Sequence, residues 1–421
     1  MKRKFYYLSS FILIFVFTIL LTSCDFIDKA KDFIDNIGND STEATREELD
    51  LSKGVVYDDF QIHFMTLGND KAGDSTYIKT GDVDILIDAG STASSVDTTS
   101  AYIDKYCSDK KLEYIIATHG DSDHISGFPK IFDKYKIDTI IDFEYTTKTT
   151  KTYQNYVNGR NNLVENGTKH YFASECWNNQ NGASRQFKLS DKVTMDIIYN
   201  KYYFEASSDE NNHSVCTLFT YTDNDTSKYF MFTGDLEKEG EEALAKYYDG
   251  KTKETTLPEC DFYKAGHHGS KTSSNDCLLD IIKPKMCVVP CCCGTNEYTG
   301  ILDNQFPTQA FINRISKWTD KVYIPSTFET YEIVTKEAGQ SVAGIKDGEE
   351  YIKTSGFKDM NGNIVISCSQ NSETNNIEIG LWCSNNSTLL KDTFIFKDTV
   401  TLNGQTRTFR TLPDNWKTKE E

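Results

Sequence analysis

Two histidines and two aspartates fall within six residues in Thr118-His119-Gly120-Asp121-Ser122-Asp123-His124-Ile125-Ser126-Gly127, directly after the apolar run Tyr114-Ile-Ile-Ala117. The whole chain holds only 7 histidines. Neutral imidazole and carboxylate together are the usual ligands of catalytic zinc or manganese, and a strand-to-loop junction holds such side chains on a rigid base. A solvated turn accounts for the Asp and Ser but not for the paired histidines. Three distant segments repeat the pattern of an apolar strand ending in a ligand-type residue: Phe230-Met-Phe-Thr-Gly-Asp235, Ala265-Gly-His267-His268-Gly-Ser270 and Asp84-Ile-Leu-Ile-Asp88-Ala-Gly90. Asp235 is placed to bridge two ions, and Asp88 to orient a ligand by hydrogen bonding it from behind. Singly, a strand-terminal Asp reads as a turn residue or helix cap. As a set, the residues arrive at successive strand ends, where a metal site is built.

The elements that must position them follow from periodicity. Strand-like runs cover Ile62 to Met65, Ser75 to Lys79, Asp84 to Asp88, Tyr114 to Ala117 and Thr139 to Asp142, with helical stretches around Ser94 to Tyr106 and after Pro129. The second half repeats the grammar: strands at 193–199, 215–221, 229–233, 262–265, 286–290 and 322–325, and helices at 237–247, 275–282 and 307–318. Two sets of strands each leading into strand-helix-strand units predict an α/β fold, an αββα sandwich with two sheets face to face and helices outside. The body is placed at residues 55–370, with Tyr145 to Ser184 as a long polar insertion. Residues 371–421, with alternating segments such as Ile377 to Trp382, are read as a small C-terminal β extension.

With these motifs in place, the sequence resembles the metallo-β-lactamase superfamily, most nearly the hydrolase domain of the ComEC-like DNA-uptake branch. The resemblance rests on Gly73-Asp-Ser-Thr-Tyr-Ile78, Ile85-Leu-Ile-Asp-Ala-Gly90, Thr118 to Gly127, Thr233-Gly-Asp235 and His267-His-Gly-Ser-Lys-Thr-Ser-Ser274. It implies two divalent metal ions, zinc or manganese. His119 and Asp121 would serve one, Asp123 and His124 the other, with Asp235 bridging. His267, first after the strand and its Gly, would complete the second site, with His268 as the alternative. Asp123 and Asp121 would be the catalytic carboxylates. His213, in Asn211-Asn212-His213-Ser214, restores a ligand for the first metal or is a loop histidine. Gln305-Phe306-Pro307 stands where relatives commonly have a His-Pro pair. Ser270, Lys271, Thr272 and Ser273 offer hydroxyls and a cation that could hold a phosphate, or else Ser273 and Ser274 simply cap the following helix. The order of residues in Gly266 to Thr272 excludes a nucleotide-binding P-loop.

Composition bounds the rest. A net charge of −18 over 421 residues repels polyanions and excludes a general nucleic-acid-coating role, while a bound cation still attracts a phosphate locally. Lys130, Lys134, Lys136, Lys148 and Lys151 form either a basic rim near the first motif or a solvated face. At the N-terminus, Lys2-Arg3-Lys4 precedes an apolar run, Phe5 to Leu21, that closes at Leu21-Thr22-Ser23-Cys24. This resembles a bacterial lipobox, implying a signal peptide over 1–23, lipidation of Cys24, an acidic spacer over 24–54, and an extracytoplasmic, membrane-anchored lipoprotein. Of 12 cysteines, setting Cys24 aside leaves an odd number, which cannot all pair; Cys291-Cys292-Cys293 reads as a buried strand end rather than a metal site. No segment identifies a protein partner. The expected function is a metal-dependent hydrolase cleaving phosphodiesters, DNA or nucleotides, at the cell surface. The alternatives are hydrolysis of another ester, a thioester or a lactam, or a surface binding module with an inactive site.

Overall fold

The structure, a computed structural model, describes residues 49–252 and 255–417; the expected leader, Cys24 and the spacer up to residue 48 lie outside the described residues. Phe60–Phe64 shows how the sequence builds the body. Along this strand side chains alternate between faces. Phe60 and Phe64 point at the rings of a second sheet, with Phe60 5.2 Å from Phe230 and 6.0 Å from Phe219, and Phe64 5.4 Å from Phe262. His63 points the other way, onto Tyr102 of the Ser95–Ile103 helix. The opposite sheet alternates in the same manner. Phe230, Phe232 and Phe262 join the inter-sheet core, whereas Met231 and Tyr263 pack with Leu244, Leu278, Leu279 and Phe311 from the outer helices. Burying each such Phe stabilises the fold by about 1.5–3 kcal/mol. This is the αββα sandwich that the patterning predicts.

The first sheet has nine strands, in spatial order Leu51–Lys53, Ile377–Cys383, Ile364–Gln370, Phe60–Phe64, Thr76–Thr80, Val83–Ile87, Lys111–Ile116, Lys136–Asp142 and Lys169–Phe172. The second has seven: Val322–Tyr323, Cys287–Val288, Phe262–Lys264, Thr226–Phe232, Thr217–Asp223, Val193–Ile197 and Gln186–Lys188. In each sheet the site-bearing strands run parallel, so their C-terminal ends share one edge. Val83–Ile87 pairs parallel with Lys111–Ile116, and Thr226–Phe232 with Phe262–Lys264.

Three stretches are more integral than the sequence reading places them. Residues 51–53, at the end of the expected spacer, pair parallel with Ile379 to Leu381 and form the sheet's edge. Ile377–Cys383, within the expected C-terminal addition, lies inside the sheet, bonded from Ile377↔Gln370 to Cys383↔Ile364, because Ile377, Ile379 and Leu381 are buried. The polar stretch after Tyr145 supplies helix Lys151–Glu165 and strand Lys169–Phe172, a crossover that returns parallel to Lys136–Asp142. Buried Asp142 fastens it, accepting from Tyr156 Oη, Arg160 Nη1 and His170 Nε2, each at 2.7 Å. Residues 393–397, read as part of the β extension, include a short helix, Phe394–Lys397.

Every described cysteine is a free thiol, buried except for the half-buried Cys277 and Cys383. Among the described residues no helix is long and apolar enough to cross a membrane.

Candidate metal centre

Asp123, His124, Asp235 and His268 each aim one ligand atom into a common space within 4.8 Å. His124 Nε2 is 3.2 Å and His268 Nε2 3.3 Å from Asp235 Oδ2. Asp123 Oδ2 is 3.2 Å from His268 Nε2 and 3.9 Å from His124 Nε2. Donors about 2.1 Å from a shared ion in tetrahedral array stand roughly 3.4 Å apart. The four donors therefore fit one divalent cation.

The imidazole tautomers agree. His124 Nδ1–H donates to Asp88 Oδ2 at 2.7 Å, and His268 Nδ1–H donates to the Pro290 carbonyl at 2.8 Å, so each Nε2 presents a lone pair to the centre. Asp88 also accepts from Thr118 N and Thr118 Oγ1, both at 2.8 Å, and sits at φ 58, where the chain turns from strand into loop. With its proton given to Asp88, Thr118 Oγ1 accepts from His119 Nδ1 at 3.1 Å, and His119 Nε2, buried and without a hydrogen-bond partner, is likewise left as a lone pair.

Charge makes the same demand. Lys264 Nζ, buried in its strand, pairs with Asp74, donates to Gly234 O at 2.9 Å, and lies 3.4 Å from Asp235 Oδ1. Burial opposes its charge, but Asp74 and Asp235 hold its pKa above the ordinary lysine value. Burial likewise opposes protonation of His124, yet Asp235, Asp88 and Asp123 hold its pKa well above the usual imidazole value; His268 behaves the same way, with Asp235 foremost among the carboxylates. One ammonium among Asp74, Asp88, Asp123 and Asp235 leaves a deficit of positive charge, the condition that buried carboxylates meet by binding a cation.

Of the two adjacent histidines, His268 and not His267 enters this centre. The Gly266–Gly269 turn places both at positive φ, 44 and 52, and the tight turn sends consecutive side chains apart. His267 Nδ1 instead donates to Glu237 Oε1 at 3.1 Å. Glu237, whose burial is outweighed by its hydrogen bonds from His267 and Thr272, is held below the usual carboxylate range. His213 is also turned away: its Nε2 accepts from Ser207 N–H at 2.9 Å, and its Nδ1 lies 3.6 Å from Glu210 Oε2. His119 Nε2 and Asp121 Oδ2 stand together, 3.5 Å apart. Ser270 and Thr272 share a 2.8 Å hydrogen bond, and Thr272 donates on to Glu237. Lys271 Nζ donates to Asn304 at 3.1 Å, and Ser273 Oγ is buried without a partner.

Four contributors have no role in the sequence reading. Asp74 lies in the Gly73 to Ile78 motif, and Lys264 is signalled by its charge inside an apolar strand. Glu210 and Tyr298 carried none. Tyr298 Oη donates to Asp123 Oδ2 at 3.1 Å, with its ring 5.7 Å from Phe306.

Residues 68–186 match the metallo-beta-lactamase superfamily. Recombination protein 2 of Haemophilus influenzae is 26% identical over 178 residues, covering 42% of this chain and 17% of that protein. Competence protein ComA of Neisseria gonorrhoeae is 22% identical over 243 residues, covering 58% and 28%. The matched part thus spans less than a third of either relative. Among solved structures, the metallo-beta-lactamase fold protein YhfI from Bacillus subtilis aligns at 10% identity and a TM-score of 0.35, covering 63% of this chain and 95% of that one. Igni18, a metallo hydrolase from Ignicoccus hospitalis, aligns at 13% and 0.35, covering 69% and 98%. The metallo-beta-lactamase match begins at Gly68 and takes in Asp74, Asp88 and the whole Thr118 to Gly127 loop, whereas Asp235 and His268 lie beyond it.

Proposed function

We propose that this chain is a metal-dependent hydrolase of phosphodiesters, acting on DNA or nucleotides. The observation that carries the hydrolase reading is the convergence of two imidazole lone pairs and two carboxylates on one point, with Asp123 side-chain exposure at 17% while His124 and His268 are at 0%. A divalent ion held by Asp123, His124, Asp235 and His268 would supply Lewis-acid chemistry and lower the pKa of water at neutral pH. Asp123 is the most exposed of the four ligand-type residues, and the exposed Tyr298 donates to its carboxylate. Asp88, through His124, holds the imidazole in the tautomer that keeps Nε2 free. The phosphodiester part is supported by the competence and recombination proteins among the relatives; a donor set of two imidazoles and two carboxylates suits manganese as well as zinc.

The lipobox-like Leu21 to Cys24 supports a site of action outside the cytoplasm, on a membrane. Cys24→Ala is expected to move the full-length protein out of the membrane fraction of its host.

The deciding experiment incubates full-length protein with labelled single-stranded DNA and added manganese or zinc, beside Asp123→Ala. Metal-dependent cutting that the variant lacks is the expected result. Intact DNA in the presence of metal-loaded protein overturns the phosphodiester reading and turns the assay to small esters, thioesters and lactams.

A further inference from the structure

The space beside the four-donor position, where the resemblance implies a second ion, is built differently. Only His119 and Asp121 face it, and among the described residues neither joins a group of three potential ligands. Of the further ligands the sequence offers there, Asp235 turns its Oδ2 to His124 and His268, and His213 is committed to Ser207 and Glu210. What meets Asp121 instead is a cation: Lys148 Nζ pairs with Asp121 Oδ1, each side chain 28% exposed.

That lysine is placed by design of the loop. Glu210, almost wholly buried, accepts from Gly120 N at 2.9 Å and Thr146 Oγ1 at 2.8 Å through Oε1, and from Thr147 N and Oγ1 through Oε2. Lys148 N donates to Thr146 Oγ1 at 3.0 Å. One carboxylate thus ties the ligand loop to the segment carrying Lys148. The approach needs a glycine: a Cβ on residue 120 would stand 2.5 Å from Glu210 Oε1, 2.9 Å from Thr146 Oγ1 and 3.2 Å from Lys148 Cγ.

We propose that the centre is mononuclear. One divalent ion sits at Asp123, His124, Asp235 and His268, and the Lys148 ammonium stands on Asp121 in place of a second ion, where it meets a non-bridging oxygen of the substrate. The last clause rests on the phosphodiester reading; the ion count does not. An ammonium already on Asp121 removes the charge that would draw a second cation and repels one that approaches.

The test is metal content of the full-length protein, by elemental analysis after equilibration with micromolar manganese, alongside the electron paramagnetic resonance of the bound metal. Wild type is expected to hold one equivalent with the spectrum of isolated manganese. Lys148→Met is expected to hold two, with the signature of a spin-coupled pair. The double variant Lys148→Met/His119→Ala is expected to return to one. Two equivalents in wild type, or one in Lys148→Met, overturn the proposal; none in any variant overturns the metal centre itself. The double variant, with one ion and no lysine, also tests the contact with substrate. Its affinity for inorganic phosphate is expected to fall about tenfold below wild type, the loss of one charged hydrogen bond. An unchanged phosphate affinity removes Lys148 from the substrate.

Discussion

His63 and His124 are both wholly buried, and their surroundings divide them into a structural residue and a ligand. His63 Nδ1 meets Tyr102 Oη at 2.9 Å and its Nε2 meets Gln61 Oε1 at 3.1 Å, with the rings of Tyr77, Tyr102 and Tyr106 around it. Both nitrogens are satisfied by neutral groups, and burial pulls its pKa down to about 3. His124 has the same burial but faces carboxylates, which hold it well above the ordinary value and leave Nε2 pointing into shared space. Burial alone does not mark a functional histidine. A surplus of buried negative charge around a free lone pair does.

The strongest way to break the contrast is to remove that surplus. Asp235→Ala deletes the carboxylate shared by both Nε2 atoms and is expected to lower metal affinity by more than about 100-fold, with activity lost in parallel, as read by metal titration. Asp88→Asn leaves every donor in place and disturbs only the partner of His124 Nδ1. The expected loss of metal affinity is about 10–100-fold. At the other end, His63 predicts a pH effect. Its folded pKa lies below the unfolded value, so the unfolded chain takes up a proton first as pH falls. Stability is therefore present above about pH 6.5 and is lost toward pH 3, by at most about 1.4 kcal/mol per pH unit. Urea unfolding followed across that window should show this slope, and His63→Gln should flatten it. The smallest effect sharpens the ligand assignment: His267→Ala should leave metal affinity unchanged while His268→Ala abolishes tight binding. The reverse result would restore His267 as the ligand.

Much of this was legible because it is periodic. Alternation along Phe60–Phe64 and strand-terminal ligands announce both the sandwich and the ligand loop, since a period of two and an abrupt polar end leave marks in a linear string. Which of two neighbouring histidines enters the centre depends on positive backbone angles at both, which nothing local demanded. The fate of His213 depends on Glu210, a residue whose partners at 120 and 147 lie far off in the chain. The polar stretch after Tyr145 hid its helix behind a mostly exposed surface, with Tyr156 as its one buried residue.

The free, buried thiols carry a consequence for measurement. Desolvation raises the pKa of each described cysteine, from about 11 at Cys277 and about 12 at Cys107 upward, so in the native state they are protonated, and the buried ones are also shielded from alkylating reagents. Cys216 and Cys368 sit on different sheets, Cys216 just before the Thr217–Asp223 strand and Cys368 within Ile364–Gln370. Their labelling rates count how often each layer opens. Equal rates would mean that the sandwich comes apart as a unit, and unequal rates would rank its two halves without any added probe.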